Sequence, residues 1–169
     1  ETYIGCQPIY SKELNLSAYQ LLFRNNNTDN AAHFPDADRA TSQVIVNTLT
    51  EFGLDKLIGT RKAYINFTRN YLLGKYPIPN MTKRIIVELP DDIEYDSAIH
   101  TALQSLVIKG YTIAMSDKVY LEHFKDKNPI PCIVKVDIQK QDKEHLEEYL
   151  SNLHRDDVKI LAEHVETQE

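Results

Sequence analysis

From Cys132 to Ile138 an apolar run passes into strict alternation of hydrophobic and polar positions, Val134-Lys135-Val136-Asp137-Ile138, and the rest of the chain is organised around that stretch. Successive side chains on a strand leave opposite faces, so Val134, Val136 and Ile138 point one way while Ile133, Lys135 and Asp137 point the other. β-Branched residues dominate the stretch and Pro131 opens it, which predicts a strand. One face is wholly apolar; the other carries two opposite charges, and buried strands rarely do. Three explanations stand at this point: a buried ion pair, an exposed edge strand blunted by Lys135, or a charged pair at the mouth of a parallel sheet or barrel.

Before that strand, Ile4 to Tyr10 and Leu16 to Phe23 flank the polar turn Ser11 to Asn15, which predicts a hairpin. Arg24 to His33 shows no periodicity and is rich in Asn and Asp, as a loop is. A helix follows, capped by Asp36 or Asp38, with Val44, Ile45, Thr48 and Leu49 at helical spacing before Gly53. Ala63 to Phe67 predicts a short strand, and Thr68 the cap of a brief helix at Tyr71 to Leu73. Lys83 to Leu89 predicts a strand with a continuous apolar run, as in sheets buried on both faces. Asp96 or Ser97 caps a helix whose stripe is Ile99, Ala102, Leu103, Leu106 and Val107, and Gly110 ends it. A strand from Tyr111 to Met115, helical turns over Val119 to Lys125, a helix from Asp142 to His154 and a strand from Lys159 to Glu163 complete the order. A hairpin followed by alternating helix and strand predicts an α/β fold with a parallel sheet.

The chain has 169 residues, 42% of them hydrophobic, enough for one domain with a real core. A net charge of -6, with no long run of Lys or Arg, argues against a nucleic-acid partner. No apolar run approaches the roughly 20 residues that span a bilayer, and no secretory leader opens the sequence, so no membrane segment is expected here. Cys6 and Cys132 are the only cysteines and lie far apart, which fits a reducing cytoplasm; Cys6 is expected in the core. The chain starts at Glu1 and ends at Glu169, and is expected to be a fragment of a longer protein.

Polar residues recur at the carboxyl ends of the predicted strands: Gln20, Asn66, Glu88, Asp117, Lys135 with Asp137, and Glu163. In α/β barrels that end carries the chemistry. Singly, each is a satisfied loop anchor; repetition over six strands points to a site. The acidic group Glu88, Asp91, Asp92, Glu94 and Asp96 reads as a solvated loop and helix N-terminus, with a rebuilt cation site as the alternative. The six histidines lack zinc spacing, and no Ser-His-Asp set or Gly-rich phosphate loop is present.

Taken together and in order, Gln7-Pro8-Ile9, Tyr19-Gln20-Leu21-Leu22-Phe23-Arg24, Ile65-Asn66-Phe67-Thr68, Val87-Glu88-Leu89, Ser116-Asp117, Val134-Lys135-Val136-Asp137 and Ala162-Glu163-His164-Val165-Glu166-Thr167 resemble the EAL domain of bacterial cyclic di-GMP phosphodiesterases. Tyr-x-Leu-Leu-Phe-Arg and Ala-Glu-x-Val-Glu-Thr further resemble the branch in which this domain precedes an HDOD domain. The resemblance implies a TIM-barrel-like (β/α) fold that starts with a β-hairpin, here ending before the last helix and strand. It also implies metal-assisted phosphodiester hydrolysis, with Mg or Mn as cofactor in active members. On that resemblance Gln20 stands at the signature metal-binding Glu, Asn66 and Glu88 at further ligands, and Ser116 and Asp117 at two adjacent aspartates. Lys135 stands near the attacking water, Glu163 at a downstream carboxylate, and Arg24 at a phosphate contact.

Two of these positions depart from the family. Gln20 and Ser116 replace carboxylates with a neutral amide and a neutral hydroxyl, and hard divalent cations depend on anionic oxygen. Lys118 adds positive charge beside Asp117, and His164 is expected to be a loop side chain. The expectation is therefore a degenerate, non-enzymatic EAL domain with no cofactor, its metal ligands vestigial at Asn66, Glu88 and Asp117 and lost at Gln20 and Ser116, and its catalytic residues vestigial at Lys135 and Glu163. Its role would be that of a regulatory or protein-interaction module beside an output domain or with a protein partner. The alternatives are a metal-independent cyclic di-GMP receptor using Gln7, Arg24, Lys135 and Asp137, and a residual phosphodiesterase. The oligomeric state is left open.

Overall fold

The structure, a computed structural model, describes residues 2–25, 38–39, 41–42, 45, 53–127 and 129–165. Strands β1 (Thr2–Tyr10) and β2 (Leu16–Asn25) form the predicted hairpin, with Gln7 opposite Gln20. Ser11 N–H donates to Asn15 O at 2.8 Å and Leu14 N–H returns to Ser11 O at 2.9 Å, which closes the turn with Leu14 in the left-handed region at φ 60. The predicted loop from Arg24 to His33 lies mostly outside the described residues. So do the Asp36 cap and most of the helix expected before Gly53, of which residues 38, 39, 41, 42 and 45 are helical.

From β2 onward every strand joins its predecessor in parallel: β3 (Lys62–Asn66), β4 (Ile85–Glu88), β5 (Thr112–Ser116), β6 (Cys132–Asp137) and β7 (Val158–Glu163). The order is β1-β2-β3-β4-β5-β6-β7, so β6 is an interior strand and not an edge. Helices α1 (Leu54–Ile58), α2 (Arg69–Leu72), α3 (Ser97–Ile108), α4 (Asp117–His123) and α5 (Leu146–Leu153) supply the crossovers. Among the described residues, no helix is long and apolar enough to cross a membrane.

The sheet has two unlike faces. The helix side holds the main core, in which Phe67, Ile85, Val87, Ile113, Met115 and Val134 pack with Ile99 and Leu103 of α3. Full burial of each such side chain stabilises by about 1.5–3 kcal/mol. Helix α3 is anchored at both ends: the Asp96 carboxylate accepts from Ile99 N–H at 2.9 Å. At its C-terminus Gly110 sits at φ 94, with Gly110 N–H donating to Val107 O and Tyr111 N–H to Leu106 O, the double closure that a left-handed residue permits. On the other face a single small cluster takes one residue from each of the seven strands: Ile9, Ala18, Tyr64, Ile86, Ala114, Ile133 and Leu161. Side chains also meet across an intervening strand on that face, Gln20 of β2 with Glu88 of β4 and Glu88 with Lys135 of β6. Alternate strands in a flat sheet lie nearly 10 Å apart, so the sheet is curled with this face concave, a half-barrel.

Three local expectations are corrected. Thr68 stands at the N-cap of α2, yet its hydroxyl donates to Asp38 Oδ1 and its oxygen accepts no cap bond from the helix N–H groups. The helix expected from Asp142 to His154 is split into a 3₁₀ turn at Lys143–His145 and α5, with Asp142 capping the turn through Glu144 N–H at 3.1 Å. Cys6 is exposed on edge strand β1, while Cys132 is buried and its thiol pushed up to about 12 by burial.

Candidate functional site

The period-two pattern puts Asn66, Glu88, Ser116, Lys135, Asp137 and Glu163 on the concave face at the carboxyl ends of β3 to β7, with Gln20 on the same face midway along β2. Gln7 of β1 faces Gln20 and is exposed. Below this polar row lies the apolar cluster, which closes the floor of the mouth. Arg24 belongs to β2, but its side chain lies outside the described residues.

The centre of the mouth is Glu88, 5% exposed, and Lys135, 7% exposed. The Lys135 ammonium contacts Glu88 Oε1 directly and Glu163 Oε1 at 2.6 Å. Gln20 Nε2 donates to both Glu88 oxygens, at 3.3 and 3.1 Å. Burial raises the Glu88 carboxyl, with the ammonium opposing it, while burial lowers Lys135 but is outweighed by the two carboxylates, so the ammonium is held protonated. Lys135 therefore forms a buried ion pair, but not with Asp137. Asp137 is met by Lys140 Nζ at 3.0 Å and His164 Nδ1 at 3.1 Å, contacts that hold its carboxyl below the usual range. Spacing two residues apart placed Lys135 and Asp137 on one face; the sheet's curl gave Lys135 partners 47 and 28 residues away.

The adjacent pair Ser116 and Asp117 is committed elsewhere. Ser116 is the N-cap of α4, its hydroxyl accepting from Val119 N–H at 3.4 Å. Asp117 Oδ2 accepts from Tyr149 OH at 2.7 Å and Gln141 Nε2 at 3.3 Å, and Oδ1 from Lys118 N–H at 2.8 Å. Asp117 is thus tied to the β6–α5 segment and not brought to Glu88. Asn66 ends β3 with an exposed side chain, in register with Glu88. In the acidic stretch, Asp96 is engaged as a helix cap and by Arg69 at 2.5 Å, and Asp91 and Asp92 are exposed. Among the described residues, no three His, Cys, Asp or Glu side chains converge as a metal-ligating group.

Sequence reasoning missed two contributors. Tyr64, two residues before Asn66 and on the same face, sits close enough to Glu88 to feel its charge; burial first and then Glu88 push its phenol up to about 12. Counting back by two from Asn66 would have found it. Tyr149 falls inside the helix expected from Asp142 to His154; its phenol, likewise raised to about 12 by burial and Asp117, is the tether of Asp117. Two surface cavities among the described residues, of about 370 and 440 Å³, lie beside α2 and α3 and beside α5 and β7, and neither is lined by a residue of the mouth.

No family model matches the chain. Over 170 residues it is 29% identical to the Vibrio cholerae protein "Cyclic di-GMP phosphodiesterase CdgJ", covering 99% of this chain and 39% of that protein. Over 115 residues it is 27% identical to the Bacillus subtilis uncharacterized protein YuxH, covering 68% of this chain and 28% of that protein. The chain thus spans well under half the length of these curated relatives. Among solved structures, an EAL domain protein from Listeria monocytogenes superposes with a TM-score of 0.66 at 19% identity, over 98% of this chain and 78% of that one. Klebsiella pneumoniae BlrP1, in a complex with manganese and cyclic di-GMP, superposes with a TM-score of 0.66 at 15% identity, over 98% and 50%. The chain is thus similar along nearly its whole length to CdgJ, and it shares its fold, a half-barrel opened by a hairpin, with solved EAL domain proteins.

Proposed function

We propose that this chain is a catalytically inactive EAL-like domain acting as a regulatory or protein-interaction module in bacterial cyclic di-GMP signalling, beside an output domain such as HDOD. The observation that carries the proposal is the engagement of Glu88: both of its oxygens accept from the Gln20 amide, and one also from the Lys135 ammonium. Phosphodiester hydrolysis by a metal-bound water needs anionic oxygens that hold a hard cation. Here the signature position offers an N–H donor, the Ser116 hydroxyl serves a helix cap, and Asp117 serves Tyr149 and Gln141. These residues do not fit a divalent metal. The signalling context is supported by the naming of CdgJ as a cyclic di-GMP phosphodiesterase and by the cyclic dinucleotide bound in BlrP1. The greater length of the relatives leaves room for an adjoining output domain.

The test is incubation of the purified protein with cyclic di-GMP and Mn²⁺, followed by chromatography for the linear dinucleotide. No product above a protein-free blank is expected, and turnover overturns the proposal. A calorimetric titration in chelator covers the receptor alternative: a micromolar Kd, about -8 kcal/mol, would make the domain a metal-independent receptor.

A further inference from the structure

We infer that the outer face of α3 is the surface on which two copies of this chain pair, antiparallel about a two-fold axis. The inference goes beyond the reading of the mouth and stands apart from it, because α3 packs on the helix side of the sheet. Ile99, Leu103 and Leu106 turn inward to the core, and the opposite stripe, Ser97, Ala98, Thr101, Gln104, Ser105 and Ile108, is exposed. The 12 residues of α3 include no Asp, Glu, Lys or Arg, in a chain with 26% charged residues. The exposed positions of α1, α4 and α5 carry Asp55 and Lys56, Lys118 and Glu122, and Glu147 and Glu148. Ile108, 86% exposed, is the most exposed large hydrophobic side chain among the described residues. The cavity of about 370 Å³ opens along the same face, walled by Tyr76 and Pro77 and by Ala102 and Ser105 of α3, and continues its uncharged surface. Interface centres are depleted of charge, and the centre of this face has none.

The occupant follows from where charge does stand. Lys109 follows the stripe at one end and Glu94 precedes it at the other, both exposed. An axis passing by Thr101 and Gln104 lays α3 antiparallel on its copy. Lys109 then meets Glu94 of the second copy, Ile108 falls on the short side chains of Ser97 and Ala98, and Thr101 faces Gln104. An isologous contact makes each of these pairings twice. With a net charge of -6, two copies repel over much of their surface, and an uncharged face avoids that repulsion. A strongly charged partner finds nothing on the stripe to pair with.

The test is the mass of the purified protein by sedimentation equilibrium over roughly 1 to 100 µM, with twice the chain mass expected at the upper end. Ile108→Glu puts a carboxylate into the contact and is expected to raise the dissociation constant roughly tenfold or more. Lys109→Glu sets a carboxylate against Glu94 of the second copy and is expected to raise it several-fold. Combining Lys109→Glu with Glu94→Lys remakes the pair with its signs exchanged and is expected to restore the parent's dimer. Circular dichroism reports whether each variant is folded; if Ile108→Glu is not, the charge exchange decides. A parent that stays monomeric overturns the inference and leaves the face to an adjoining domain or another protein. So does a dimer that a folded Ile108→Glu fails to weaken, or a double variant no more dimeric than Lys109→Glu alone. Loss of the fold in Lys109→Glu as well would make these residues part of the monomer's own packing, and overturns it too. Cleavage of cyclic di-GMP by a parent that dimerises through this face would sink the proposed function and leave this inference standing.

Discussion

Gln20→Glu, the change that restores the family's acidic residue, is expected to destabilise this protein at neutral pH. It places a carboxylate oxygen where Gln20 Nε2 now stands, 3.1 and 3.3 Å from the two oxygens of a Glu88 that is 5% exposed. Two like charges about 3.2 Å apart repel by about 5 kcal/mol at an effective dielectric constant near 20. Proton uptake limits that loss, because protonating a carboxyl of ordinary pKa about 4.3 costs about 3.7 kcal/mol at pH 7. The nearby Lys135 ammonium offsets part of it, and the net loss expected is about 3 kcal/mol. The sign follows from linkage: the new pair shares a carboxyl whose folded pKa is raised, so stability is retained below the unfolded value near 4.3 and lost as pH rises through the folded one. Urea unfolding followed by circular dichroism in chelator, at pH 5 and pH 7.5, measures it. With a slope of about 2 kcal/mol per molar urea, the midpoint should fall by roughly 1.5 M at pH 7.5 and by clearly less at pH 5. A variant that unfolds with the parent at pH 7.5, or whose deficit fails to narrow on acidification, refutes the account of Glu88 as a carboxylate held by an amide donor and an ammonium.

Two further outcomes test the scaffold. Leu103→Ala, at a fully buried position in the middle of α3, should cost about 2–5 kcal/mol by loss of burial and the cavity left behind, read from the same urea transitions. Tyr64, with its phenol raised to about 12 by burial and by Glu88, should contribute about 3 kcal/mol that is present below pH 10 and lost between pH 10 and 12. Tyr64→Phe should therefore lose less stability than the parent between pH 8 and pH 11, and equal losses would contradict a buried, un-ionised phenol at that position.

Local pattern was sufficient for the hairpin, for α3 with its cap and terminal glycine, and for the succession of parallel strands, because each follows from spacing within a dozen residues. Period-two alternation likewise put Gln20, Asn66, Glu88, Lys135 and Glu163 on one face, and the resemblance to EAL domains carried by those stretches agrees with the fold. The partners of those side chains were not legible. Lys135 and Asp137 share a face, but a charge two residues along the same strand lies farther away than a carboxylate brought over by the sheet's curl, so Lys135 chose Glu88 and Glu163. Asp117 was assigned to the mouth by its place after β5, yet the first turn of α4 and the approach of Tyr149 carried its carboxylate elsewhere. Cys6 shares its face of β1 with Ile4, which packs against the core, yet on this edge strand it is exposed. Residue order thus determines which side chains share a face, since that depends on backbone period alone; which of them touch depends on curvature and on crossovers tens of residues long, and these exist only once the chain has folded.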